Sequence, residues 1–131
     1  VRRQVEFSFL DVELARSCND DAMREHRYGA VVAAVLRRRL AEIDAAAHLA
    51  DLERLPAARL RPCLDDPGLL LVSLGPLADL HLRPRADPPP RLPDGTLDYA
   101  DVRVVIVTDV QLVPTASRTR PALLRARREA S

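Results

Sequence analysis

The chain has no lysine and no tryptophan, and only two tyrosines and two phenylalanines in 131 residues. With aromatics at 3% and apolar residues at 47%, a core has to be assembled from Leu, Val, Ile and Ala. Cysteine is scarce too. Cys18 and Cys63 stand far apart, with no CxxC and no His pair at metal-ligand spacing, so neither a metal site nor a structural disulfide is expected and each cysteine should pack as a small apolar group. No run approaches the roughly 20 apolar residues of a membrane span, and the first residues lack a signal-peptide core. A soluble protein of the reducing cytoplasm is the expectation.

The length suits one domain with a single two-layer core. A formal charge of +1 conceals a bias, because all 20 cations are Arg. A GC-rich coding sequence would account for that. Arg also offers a planar, permanently charged fork suited to phosphate and carboxylate, so a basic groove for RNA stays open as an alternative.

Val5, Phe7 and Phe9 alternate with Glu6 and Ser8, which predicts a half-buried strand from about Gln4 to Phe9. Leu10, Leu14 and Cys18 recur at helical spacing. Asn19, Asp20 and Asp21 supply an N-cap and an acidic first turn for a further helical segment reaching Tyr28, and Gly29 marks a break. From Ala30 to Ala47, the positions Val32, Val35, Leu36, Leu40 and Ile43 form one apolar stripe of a helix. Arg37 and Arg38 should point away from it, and Arg39 should flank it on a solvated face with Glu42 and Asp44. A short helical turn at Leu49 to Leu55 ends at Pro56.

The pattern then changes. Arg59 to Cys63 reads as a strand, and Leu69 to Leu74 as a strand buried on both faces. Leu77 to Leu82 returns antiparallel to it through the Gly75-Pro76 turn, and Val102 to Val107 is a further β-branched strand. The segment from Pro84 to Asp101 carries four prolines between Pro88 and Pro93, so it should be a surface loop. Thr115 to Ser131 holds five Arg and one Glu, as a frayed tail or as a basic arm for nucleic acid or an acidic partner. The order of strand, helices, then three or four strands predicts an α+β sheet with helices on one face.

Five segments carry a resemblance in one register: LARSCND (Leu14 to Asp20), REHRYG (Arg24 to Gly29), VLRRRLAEIDAA (Val35 to Ala46), HLADLERLPAARL (His48 to Leu60) and RPRADPPPRLPDGTLD (Arg83 to Asp98). Together they resemble the plasmid-maintenance killer toxins, the HigB branch of the RelE/ParE toxin superfamily, over about residues 5 to 111. That resemblance implies a RelE-like fold, with an N-terminal strand and helices followed by a compact antiparallel sheet. It divides the chain into a toxin-like domain at 1–113, with its proline-rich loop at 84–101, and an Arg-rich tail at 114–131. By the same resemblance the activity is that of an mRNA endonuclease that inhibits translation. The implied partners are mRNA, with the ribosome a further candidate, and a cognate antitoxin with a helix-turn-helix domain. No cofactor, metal or membrane is implied.

Such a ribonuclease needs a base for the ribose 2'-hydroxyl, an acid for the leaving oxygen and cations at the phosphate. Where the family usually has a basic residue in its second strand, this chain has Arg61. Where the family reads Tyr-Arg it has Ala78 and Asp79, and an anion there repels phosphate. Where the family closes on Asp-Tyr-His it has Asp109, Val110 and Gln111, which keeps only the carboxylate. His26 and His48 fall in the helical region, away from the chemistry. His81 shares a strand face with Asp79, so a relocated site is an alternative. The candidate catalytic residues are therefore Asp109 and His81, and the candidate RNA-binding residues Arg59, Arg61 and Arg83. Three readings stay open at this point: a ribonuclease with reduced catalysis, an inactive antitoxin-binding or regulatory homologue, and a gyrase inhibitor of the ParE kind.

Overall fold

Strand β1 (Glu6–Phe9) begins just after Val5, whose side chain is buried in the core and whose N–H donates to the Ala46 carbonyl. The computed structural model describes residues 5–66 and 68–112, so Gln4 and the Arg-rich tail lie outside the described residues. After β1 come helices α1 (Val12–Asn19), α2 (Asp21–Tyr28), α3 (Ala30–Ala45) and α4 (Ala50–Glu53), then strands β2 (Arg61–Pro62), β3 (Leu70–Ser73), β4 (Ala78–Pro84) and β5 (Val104–Leu112). The fold is α+β, with four helices and one mixed five-stranded sheet in the order β1-β5-β4-β3-β2.

The caps explain the helix breaks. Asp11 accepts from the Leu14 N–H at 2.8 Å and starts α1. Asp20 closes α1 and opens α2, accepting from the Met23 N–H at 2.9 Å, so the cap is Asp20 and Asn19 is the last residue of α1. Gly29 sits at φ +84°, a conformation that favours glycine, and turns the chain into α3. Leu10 departs from the expected α1 stripe. Its N–H bonds the Val107 carbonyl as a continuation of β1, which leaves its side chain 62% exposed.

Helix α3 ends at Ala45, because Ala46 turns extended to meet Val5. It buries Val32, Leu36, Leu40 and Ile43 as expected, while Arg37 and Arg38 are exposed. Arg39 corrects the sequence reading, since only 5% of it is exposed. Its Nε donates to the Ser73 carbonyl at 2.9 Å, one Nη to the Ala57 carbonyl at 3.0 Å and the other to Glu42 at 3.2 Å. The charge is tolerated inside because all three bonds are made to oxygen acceptors.

The antiparallel expectation holds from β2 to β5, but β1 lies parallel to β5, with Glu6 opposite Val104 and Phe9 opposite Val107. Parallel neighbours need a long crossover, and here the helices with β2 to β4 supply it. Leu70, Val72, Leu80, Leu82, Val105, Val107 and Val110 join the helical side chains in a single core. Strand β3 buries Leu70 and Val72 on the core face, and on the other face Ser73 is buried while Leu71 is partly so. Strand β5 runs on past Val107 to Leu112. The apolar run stops at Thr108 and Asp109, yet the alternation resumes with buried Val110 beyond a bulge opposite His81 and Leu82.

Proline sits at the end of β4, as Pro84, and the loop after it is ordered by its own bonds. Arg91 bridges to Leu97, the Leu92 N–H donates to the Thr96 carbonyl, the Gly95 N–H donates to the Leu92 carbonyl, and Asp94 accepts from the Thr96 N–H at 3.0 Å and its hydroxyl at 2.6 Å. A 3-10 turn at Tyr99–Asp101 leads into β5. Among the described residues no helix is long and apolar enough to cross a membrane.

Candidate nucleic-acid interface

The sheet face opposite the core is set by period-two alternation. On β4, Ala78, Leu80 and Leu82 turn inward, and Asp79, His81 and Arg83 turn out. The register then aligns residues distant in sequence. Arg61 stands opposite Leu71, Leu71 opposite His81, and His81 opposite Asp109, which makes one row across β2, β3, β4 and β5. Directly opposed residues of an antiparallel pair have Cα atoms about 4.5–5.5 Å apart, so His81 and Asp109 are adjacent. The two candidate catalytic residues are therefore brought together, with Arg61 at the far end of the same row.

Asp79 occupies the next row, between Ser73 and Gln111. Among the described residues neither Asp109 nor Asp79 makes a side-chain hydrogen bond or ion pair to His81, and Asp79 is taken by Arg61. Arg61 reaches over to it, with Nη2 at 3.0 Å from its Oδ1 and Nη1 at 2.9 Å from the Arg59 carbonyl. Arg83, on the other side of His81, forms an ion pair with Asp66 of the β2–β3 connection. The Arg83 hydrogen bond holds the Asp66 carboxyl below the usual aspartate range, with the Arg83 charge and the Gly68 N–H adding to it and partial desolvation opposing. Gly68 packs beneath this pair, where an added Cβ would stand 3.2 Å from Arg83. Arg59 falls off the sheet face: it caps the 3-10 turn Pro56–Ala58 in the left-handed region at φ 45°, with an exposed side chain.

Two participants escaped the sequence reading. Thr108 is the bulge residue, and its hydroxyl donates to the His81 carbonyl at 3.4 Å, which ties the two strands together beside the His81–Asp109 pair. Asp66 masks Arg83, and only the fold of the β2–β3 connection reveals it. Asp109 accepts at 2.8 Å from the Val110 N–H. His26 is exposed on α2, and His48 precedes α4, 3.9 Å from Asp51, so both lie away from this face. Cys18 is buried, and burial pushes its thiol up to about 11, which makes it unreactive. Among the described residues no group of three His, Cys, Asp or Glu side chains could hold a metal ion.

The arrangement supplies an imidazole and a carboxylate set opposite each other by strand register, and two arginines already paired with carboxylates. It can move a proton, and it can bind phosphate only where phosphate displaces Asp79 or Asp66. A cavity of about 530 Å3 lies elsewhere, between α4 and the proline-rich loop.

No protein-family model, no curated protein and no solved structure matches this chain. The likeness to killer toxins accordingly rests on the five sequence segments alone.

Proposed function

We propose that this chain is a killer-toxin-like module of RelE-like type, acting in the cytoplasm as a ribonuclease of reduced power that inhibits translation and is held by a cognate antitoxin. The supporting observation is the row Arg61, Leu71, His81, Asp109 on the sheet face opposite the core. In this reading mRNA lies across that face. His81 takes the proton of the 2'-hydroxyl, the 2'-oxygen bonds to phosphorus, and the 5'-oxygen leaves. Asp109 stabilises the imidazolium that forms. Protonation of the leaving oxygen has no second side chain in the row and falls to water. Each missing contribution, general acid and free phosphate-binding cation, lowers the rate by about 10².

A second reading follows from the paired arginines: a scaffold that binds its antitoxin and cleaves nothing. Inducing the chain without a partner, and following growth with bulk mRNA half-life, separates the two. The ribonuclease reading expects slowed growth with shortened mRNA half-life, both relieved in His81→Ala. Growth and mRNA half-life unaffected by induction would establish the binder instead.

A further inference from the structure

The cavity between α4 and the proline-rich loop is independent of the RNA face. None of Arg59, Arg61, Arg83, His81 or Asp109 lines it. Its apolar wall is Pro62, Leu92 and Leu97, and its polar side chains are Glu53, Asp98, Tyr99, Thr96 and Arg91. At about 530 Å3 it falls in the range of small-molecule sites, roughly 300–1,000 Å3.

Glu53 is exposed and Asp98 partly buried, and neither has an ion-pair or side-chain hydrogen-bond partner among the described residues, so both carboxylates are available to a ligand. The one cation on the wall, Arg91, is turned to its own loop, with Nη1 donating to the Gly95 carbonyl at 2.8 Å. Tyr99 is half-buried beside them. Burial, and then the charge of Glu53, push its phenol above the ordinary range, so it stays a neutral hydroxyl with an aromatic face. The loop does not have to fold around a ligand to make this wall: the Arg91–Leu97 bridge, the Asp94 turn and the bond from Asp98 N–H to the Pro90 carbonyl already hold it.

We propose that this cavity binds a small organic cation, a guanidinium or ammonium group on a short apolar stem. The charged end sits between Glu53 and Asp98 against the Tyr99 ring, and the stem lies on Leu92, Leu97 and Pro62. Carboxylate pairing and the cation–π contact both require positive charge, so charge and not shape decides binding.

Butylguanidinium and butylurea share a shape and differ in charge, which makes them the probes. Titrated into the full chain and followed by NMR shifts, butylguanidinium saturates with the largest changes at Tyr99 and Leu97, and butylurea binds at least tenfold more weakly. The Glu53→Gln, Asp98→Asn double variant loses at least tenfold for the cation, and Glu25→Gln, an exposed carboxylate on α2, loses nothing. Thermal melting reports that each variant folds. Equal binding of the two probes, no saturation by either, or an unaltered affinity in the double variant would each overturn the assignment.

Discussion

Arg61 on β2 and Asp79 on β4 form an ion pair across the intervening strand β3, with Nη2 and Oδ1 at 3.0 Å. The cation that the proposed function needs at the phosphate is thus held by an anion that competes with phosphate. Asp79→Asn releases it. The variant is expected to bind a short single-stranded RNA about three- to tenfold more tightly at low salt, with the salt dependence steepened by about one released counterion. Filter binding across a salt series measures both. Stability should change by no more than about 1 kcal/mol, because both side chains remain partly solvated.

The Asp66–Arg83 pair carries a pH signature. The Asp66 carboxyl is lowered in the fold, first by the Arg83 hydrogen bond, so the pair supports the native state above the ordinary aspartate range and that support is lost as pH falls through the lowered folded value. A carboxyl-carbon NMR titration should find Asp66 titrating below the ordinary aspartate range, and Arg83→Gln should return it toward that range. Unchanged titration in that variant would remove Arg83 as the cause.

Arg39 is expected to be the most sensitive charged residue for stability. Arg39→Met leaves the Ser73 and Ala57 carbonyls without their donor and Glu42 without its cation, and should cost about 3–5 kcal/mol by urea denaturation. Arg37→Met, on the exposed face of the same helix, should stay within about 0.5 kcal/mol.

The contrast between those two arginines shows what the sequence makes legible. The helix around Leu36 and the strands around Leu80 and Val105 follow from periodicity, because burial on one face writes itself into every second or third residue. Arg39 does not, since a charge is buried only when carbonyls from α3's distant neighbours, Ala57 and Ser73, converge on it. The parallel pairing of β1 with β5 was hidden for a similar reason: alternation at Phe7 and Phe9 states that a face is buried and leaves the neighbouring strand and its direction unspecified. At the candidate site, His81 and Asp109 could each be named from local chemistry. Their apposition depends on a register that a bulge at Thr108 shifts by one residue, and the masking of Arg83 depends on a loop contact with no local pattern.

The register that sets His81 opposite Asp109 on the face away from the core is the centre of the account, and RNA cleavage tests it most directly. The purified chain is incubated with ribosome-loaded mRNA, and the new 3' ends are mapped for cyclic phosphate. Slow cleavage by the wild type, reduced about 10²-fold or more in His81→Ala and raised in Asp79→Asn, is the predicted result. Cleavage that His81→Ala leaves at the wild-type rate, or no cleavage by the wild type under any loading, would contradict it.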